Sequence, residues 1–228
     1  MRSTALVTSV IAFSAVGWAA EHDKTFERLE DSASLFNEIM QAKDRSIPQD
    51  LINKGQCIVL VPGLKKGGFV VAAKYGRGFV TCRHASGQGW GAPAAVRIEG
   101  GSFGLQAGVS STDLILLVMN ERGMKKLLSS KFTLGGEASA AAGPVGRDAT
   151  AQTDAMMTAE ILSWSRAHGV FAGVSLDGST LRNDVDVNEH MYGKRWENKQ
   201  ILNSGLKPPE AATKLISALN KYSPRKSS

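Results

Sequence analysis

The amino-acid sequence predicts an α+β domain with a curved, mainly antiparallel, partly barrel-like sheet between N- and C-terminal helices. Two observations on the sequence support this fold class: apolar residues recur at helical spacing at both ends of the chain, and many short β-prone runs lie between them. The third is the frequency of glycine, with 24 in 228 residues, because glycines let a sheet bend. With 43% hydrophobic residues, the chain can bury one fair-sized core. We therefore expect a single domain.

The first twenty residues have the pattern of a secretory signal peptide. Arg2 precedes an apolar run over residues 5–16, and small residues at 17 and 19 predict cleavage after Ala19 or Ala20. An uncleaved anchor is the alternative, but the run is shorter than the roughly 18 apolar residues that a span needs. Cleavage removes one basic residue and lowers the net charge from +6 to +5. The expected protein is exported, periplasmic or secreted, and able to associate with a membrane.

The predicted domain, residues 21–222, begins with an amphipathic helix over residues 21–40. Its apolar positions recur at helical spacing and include Leu29, Phe36 and Ile39. We expect this stripe to dock on the protein's own sheet and not in a bilayer surface, since its polar face carries charges of both signs. A short second helix follows Pro48 and ends near Gly55.

Residues 55–83 hold two strongly β-prone runs around a basic segment. The first run, residues 57–61, is apolar without alternation, which is typical of a strand buried on both faces. Pro62 and Gly63 then break the run, and Lys65 and Lys66 precede two glycines. We interpret this segment as a hairpin tip with cationic side chains at its exposed end.

Lys74 and Arg77 lie in the second run. Strand alternation places them on opposite faces. Gly76 and Gly78 permit a bulge that would bring both side chains to one face.

Cys57 and Cys82 are the two cysteines of the chain. In an oxidising compartment they could pair across neighbouring strands. Both lie in apolar runs, where free cysteine commonly packs as a small hydrophobic residue, and we expect them to be unpaired.

Further along the chain, strands are expected near residues 94–98, 105–109, 114–119, 132–134, 138–142, 160–166, 169–176 and 179–182. Asn120 is expected to cap a helix that ends near residue 130. Helices are also expected over residues 184–192, 195–203 and 208–222, and a disordered tail over residues 223–228. The alanines and serine of residues 138–142 suggest that another element approaches this backbone closely.

A serine hydrolase is the less favoured enzymatic hypothesis. Residues 100–104 match the letters of a G-x-S-x-G nucleophile elbow, with Ser102 as nucleophile, His168 or His190 as base and Asp113 as acid. An elbow requires a helix after the serine, whereas the following residues continue as a β-prone run. We therefore expect no enzymatic activity.

Metal, cofactor and nucleic-acid sites are not predicted. The four histidines have no paired spacing for a zinc site. Asp184, Asp186 and Asn188 begin like a calcium loop, but Glu189 stands where that loop needs glycine, so we interpret the two aspartates as solvated carboxylates at the start of a helix. No phosphate-binding loop or dinucleotide fingerprint occurs in the sequence, and no dense basic run with interleaved aromatic residues points to nucleic acid.

Several stretches in order resemble the SYLF domain family, also catalogued as a yeast actin-binding domain. They are SIP at 46–48, CIVLVP at 57–62, KKGGF at 65–69, YGRG at 75–78, GGSFGLQ at 100–106, TD at 112–113, KF at 131–132, LG at 134–135, AGPVGR at 142–147 and GVFAGVSL at 169–176. The resemblance covers roughly residues 30–180.

This resemblance implies phospholipid binding without catalysis, with phosphoinositides as ligands of the eukaryotic members. For an exported chain, any anionic lipid headgroup is the expected ligand, bound by Lys65 and Lys66, with Lys74 and Arg77 joining if the strand bends. The alternative is a protein-interaction module that binds actin in a eukaryotic host or an envelope protein in a bacterial one. The net positive charge favours anionic partners in either case.

Overall fold

The computed structural model describes residues 8–42, 45–68, 71–103, 108–146, 158–174, 176 and 178–224. The strands are β1 Cys57–Gly68, β2 Val71–Cys82, β3 Ala94–Phe103, β4 Gly108–Val118, β5 Lys131–Thr133, β6 Ala140–Ala142, β7 Ile161–Ala167, β8 Val170–Gly173 and β9 Thr180–Asn183. The helices are α1 Thr8–Gln41, α2 Gln49–Lys54, α3 Glu121–Leu127, α4 Val185–Tyr192, α5 Asn198–Asn203 and α6 Thr213–Tyr222.

The strands form one sheet in the order β5-β9-β3-β2-β1-β4-β7-β6, with β8 paired to β7. Every strand pair is antiparallel except β6–β7, which is parallel. The sheet curls into a half-barrel between N- and C-terminal helices. The predicted fold class is confirmed. Most predicted strands recur with shifted ends, but the two expected near residues 105–109 and 114–119 are not separate, because residues 108–118 form the single strand β4.

Strand β1 lies at the centre of this sheet and is buried on both faces, as predicted. Ile58 and Leu60 face an outer core between the sheet and the helices. Cys57, Val59 and Val61 face an inner core enclosed by the curl. Burying an aliphatic side chain stabilises the fold by about 1.5–3 kcal/mol, so this strand anchors both cores.

Helix α1 packs on the outer face of the sheet. Leu29, Phe36 and Ile39 are buried in the outer core, together with Leu215 and Leu219 of α6. The predicted docking of the N-terminal helix on the protein's own sheet is therefore confirmed. The helix is longer than predicted, because it extends back to Thr8 through the predicted signal peptide. Cleavage after Ala19 or Ala20 stays a prediction.

No helix within the described residues is long and apolar enough to cross a membrane.

Two local predictions are confirmed by contacts in the structure. Asn120 caps α3, since its Oδ1 accepts a hydrogen bond of 3.0 Å from the amide of Gly123. Strand β8 closely approaches the backbone at the end of residues 138–142, because a Cβ atom at Gly173 would lie only 3.1 Å from the Cβ of Ala142.

Arg83 joins the end of β2 to the C-terminal helix. Its guanidinium, which is buried, donates to the carbonyl oxygens of Gly55 at 2.8 Å and Ser223 at 3.1 Å, and it stacks on Trp90. The Ser223 hydroxyl accepts from the same guanidinium. The predicted disordered tail is wrong at its first residue, because Ser223 is buried and hydrogen-bonded. Residues 225–228 of that tail lie outside the described residues.

Cys57 and Cys82 form a disulfide. Our expectation of two free thiols is wrong, because the antiparallel register of β1 and β2 places the two residues directly opposite each other. An apolar sequence context does not distinguish a free cysteine from a disulfide-bonded one. The strand register does, because it determines whether two cysteines lie close enough to bond. The bond joins the two strands where they enter the inner core.

Replacing both Cys57 and Cys82 by alanine is expected to lower the free energy of unfolding by roughly 3 kcal/mol, because the bridge closes a loop of about 25 residues in the unfolded chain. Urea denaturation measures the change, and the wild-type protein treated with reductant is the matched control. Thiol titration of the unreduced, denatured protein is expected to find no free thiol. Two free thiols would contradict the bridge.

Candidate binding site on the β1–β2 hairpin

A β-bulge in β1 determines where the candidate lysines lie. Before it, Leu60 lies opposite Phe79 of β2, and after it, Lys65 lies opposite Tyr75. The pairing with β4 shifts by the same single residue between Val61 and Leu64. One extra residue in β1 therefore reverses the alternation of every side chain that follows it.

Gly63 and Asp113 hold this bulge in place. Gly63 has a positive φ of 64°, a conformation that glycine adopts without strain, and its amide donates to Asp113 Oδ1 at 2.8 Å. Arg166 of β7 donates from Nε to the other carboxylate oxygen at 2.6 Å, and it also pairs with Glu38 of α1. The bulge is thus linked through Asp113 to both β7 and α1.

The environment of Asp113 is partly desolvated. Burial raises the pKa of its carboxyl group above the ordinary value, and the nearby negative charge of Asp31 acts in the same direction. The hydrogen bond from Gly63 opposes this rise in pKa. The carboxylate that the sequence analysis considered as a triad acid is therefore engaged in holding the backbone.

Lys65 and Lys66 lie within β1, which continues to Gly68. The prediction of a hairpin tip at Pro62 to Gly68 is wrong, because the bulge absorbs Pro62 and Gly63 without ending the strand. Residues 69–70, which connect β1 to β2 in the sequence, lie outside the described residues. Lys66 lies directly opposite Lys74 on the inner side of the sheet, whereas Lys65 lies opposite Tyr75 on the outer side.

The structure separates Arg77 from Lys74. Strand β2 pairs with β3 in one continuous register from Val71 to Val80, so the predicted bulge at Gly76 and Gly78 is absent and Arg77 points to the outer face. The two glycines serve another purpose. A Cβ atom at Gly78 would lie 2.7 Å from the Cα of Val61, so the bulged strand requires glycine on its neighbour.

Arg77 has partners on the outer face that the sequence analysis did not identify. Its Nε lies 3.0 Å from a carboxylate oxygen of Asp184 and donates to the Tyr75 hydroxyl at 2.9 Å. Asp184, interpreted from sequence as a solvated carboxylate, is fully buried at the start of α4. Arg97 of β3 lies directly opposite Arg77 and was also missed. Strand register brings these residues together, and no local sequence signal encodes that register.

The hydrolase hypothesis gains no support from the described residues. Ser102 lies within β3, paired with Ala72, and Phe103 continues the strand, whereas a nucleophile elbow requires a helix directly after the serine. His168 lies in the turn between β7 and β8, and His190 lies on α4. Among the described residues, no group of three His, Cys, Asp or Glu side chains could hold a metal ion.

The described residues form a half-barrel sheet with basic side chains on both of its faces. Residues 99–222 match the model of the Ysc84 family, described as Las17-binding protein actin regulator. The match covers more than half of the chain and runs past residue 176, where the last of the SYLF-like motifs ends. The chain belongs to the Ysc84 family, whose domain is the SYLF domain.

Individual relatives agree with this assignment. LAS seventeen-binding protein 3 of Saccharomyces cerevisiae is 31% identical over 179 residues, which cover 77% of this chain and 39% of that protein. SH3 domain-containing YSC84-like protein 1 of Xenopus laevis is 33% identical over 152 residues, or 66% of this chain and 45% of that protein. The rat protein of the same name is 30% identical over 180 residues, covering 78% and 52%. The chain spans about half or less of the length of these relatives.

Replacing Asp113 by alanine is expected to lower the free energy of unfolding by roughly 2–3 kcal/mol, because the Gly63 amide and the Arg166 guanidinium both lose a charged acceptor. Asp113→Asn is expected to be intermediate, since the amide oxygen can still accept from Gly63. Urea denaturation checks both values. Ser110→Ala on the same strand, at an exposed position, is the matched control with an expected change below about 0.5 kcal/mol. Equal stability of the alanine and control variants would contradict this role.

Proposed function

We propose that this protein is a non-enzymatic protein-interaction module of the actin-regulating type. The observation that carries the proposal is the family match over residues 99–222, since the family model is described as a Las17-binding actin regulator. The name of one relative, LAS seventeen-binding protein 3, refers to the same partner. The matched residues include strands β4 to β9, which lie on both sides of the β1–β2 pair in the sheet.

The charge distribution supports a protein partner. The outer face of β3 and β9 presents a network of arginine and glutamate side chains that are about one third exposed. Charged groups fixed by a rigid sheet favour electrostatic complementarity, which sets specificity and association rate more than affinity. No lipid is needed for such an interaction.

The purified protein is expected to bind Las17 or actin filaments in the absence of lipid. Pull-down with purified Las17 and co-sedimentation with actin filaments measure the two interactions, and heat-denatured protein controls for non-specific trapping. Retention at about 0.5 M salt, where surface charges are largely screened, is expected if apolar contacts contribute to the interface. Absence of binding to both Las17 and actin would contradict the actin-regulating type.

Binding of anionic phospholipid is the second candidate function. Lys66 lies directly opposite Lys74 at the hairpin end of the sheet, and Lys65 is the neighbouring residue in β1. This concentration of positive charge favours an anionic headgroup. Like charges directly opposite each other in a sheet repel, and a phosphate group near both ammonium groups relieves that repulsion. Exposed lysines near a surface contribute about 1 kcal/mol each toward an anionic membrane.

The double variant Lys66→Glu with Lys74→Glu is expected to weaken binding to vesicles of phosphatidylcholine with phosphatidylserine by at least about tenfold, since it replaces two attractions by repulsions. Vesicle co-sedimentation measures the loss. The control is Lys125→Glu with Lys199→Glu, which makes the same charge change at exposed positions of α3 and α5. Equal losses in both variants, or no binding by the wild type, would reject the hairpin as a headgroup site.

A further inference from the structure

Four basic side chains follow one another across four neighbouring strands. The strand registers place Arg77 of β2 opposite Arg97 of β3, Arg97 opposite Arg182 of β9, and Arg182 opposite Lys131 of β5. Residues that lie directly opposite each other in an antiparallel pair share a face of the sheet. We call this row, Arg77, Arg97, Arg182 and Lys131, the basic ladder.

The basic ladder lies on the outer face of the sheet. Phe132 and Leu181, which neighbour Lys131 and Arg182 in sequence, point to the inner core, so the two cations point outward. The side chains of Arg77, Arg97 and Arg182 are 28%, 31% and 36% exposed, and Lys131 is also exposed. The ladder is therefore accessible to a partner while its arginines remain ordered against the sheet.

The carboxylates that contact the ladder do not neutralise it. Glu99 lies 3.0 Å from Arg97 and 3.2 Å from Arg182, and Asp184 lies 3.0 Å from Arg77. Within the part of the chain that the structure describes, these ion pairs set four cations against two carboxylates on one row of the sheet. Asp184 is buried at its position, whereas Glu99 is 36% exposed and can exchange its partners.

We propose that the basic ladder binds an acidic segment of a protein partner. Directly opposed like charges destabilise a sheet, so a negatively charged ligand is bound more tightly here than on an isolated arginine. Guanidinium groups match carboxylates in a bidentate arrangement. Strands are about 4.8 Å apart, so the row spans roughly 15 Å and meets two or three acidic side chains at alternate positions of an extended segment.

The position of the ladder favours a protein segment over a membrane. Its arginines lie across the body of the sheet and are at most about one third exposed, whereas Lys65 at the hairpin end is an exposed side chain that a headgroup can reach first. A flexible acidic chain can follow a row of partly buried guanidiniums, which a planar lipid surface contacts less completely. The inference rests on the proposed function as a protein-interaction module and supplies the chemistry of the partner.

Fluorescence anisotropy with a labelled peptide of alternating glutamate and serine, roughly twelve residues long, tests the proposal at about 50 mM salt, where screening is weak. Arg97→Gln with Arg182→Gln is expected to weaken binding at least about tenfold, and Lys125→Gln with Lys199→Gln, the matched control, by less than about twofold. Glu99→Gln is expected to strengthen binding several-fold, because it removes the carboxylate that competes with the peptide. Arg182→Gln alone replaces the double variant if the latter fails to fold.

Three results would overturn the ladder as a site: no peptide binding by the wild type, equal weakening in the ladder and control variants, or unchanged affinity of Glu99→Gln. Loss of anionic-vesicle binding in the ladder variant with no peptide binding would also overturn it, in favour of a membrane surface. Failure of the proposed function is distinguishable. Peptide binding that depends on the ladder, without binding to Las17 or actin, supports the ladder and rejects only the actin-regulating type of partner.

Discussion

The hydrogen bond between the Gly63 amide and the Asp113 carboxylate fixes the β1 bulge, on which the positions of Lys65 and Lys66 depend. Side chains alternate between faces with a period of two, so one inserted residue exchanges the faces of all that follow. Without the bulge, Lys65 would share a face with Lys74. With it, Lys66 and Lys74 meet on the inner side, and Lys65 joins Tyr75 on the outer side.

The bulge also explains why its neighbouring strand is rich in glycine. The extra residue pushes β1 toward β2, and a Cβ atom at Gly76 would lie 2.8 Å from side-chain atoms of Val61 and Leu64. Glycine accommodates this approach, so β2 keeps a regular register with β3 and Arg77 stays opposite Arg97. The basic ladder therefore depends on the β-bulge lying in β1, because a bulge in β2 would shift Arg77 away from Arg97.

Features set by local chemistry could be predicted from the sequence. The buried central strand follows from the continuous apolar run at residues 57–61, and the cap at Asn120 follows from its side chain and position. Features set by register could not. The disulfide of Cys57 with Cys82, the burial of Asp184 and the row of basic residues each require knowing which residues lie opposite on another strand. Ser223 was missed for a similar reason, because its partner Arg83 is 140 residues away.

The free energies of charge repulsion and of apolar burial explain why this sheet tolerates adjacent like charges. Each like-charge pair across two strands costs a few tenths of a kcal/mol to about 1 kcal/mol. Each of the buried aliphatic residues Ile58, Val59 and Leu60 contributes about 1.5–3 kcal/mol. The two hydrophobic cores therefore outweigh the repulsion along the basic ladder and between Lys66 and Lys74, and the sheet can hold like charges next to each other. Charge held in this way costs little stability in the free protein and is available to a ligand that carries the opposite sign.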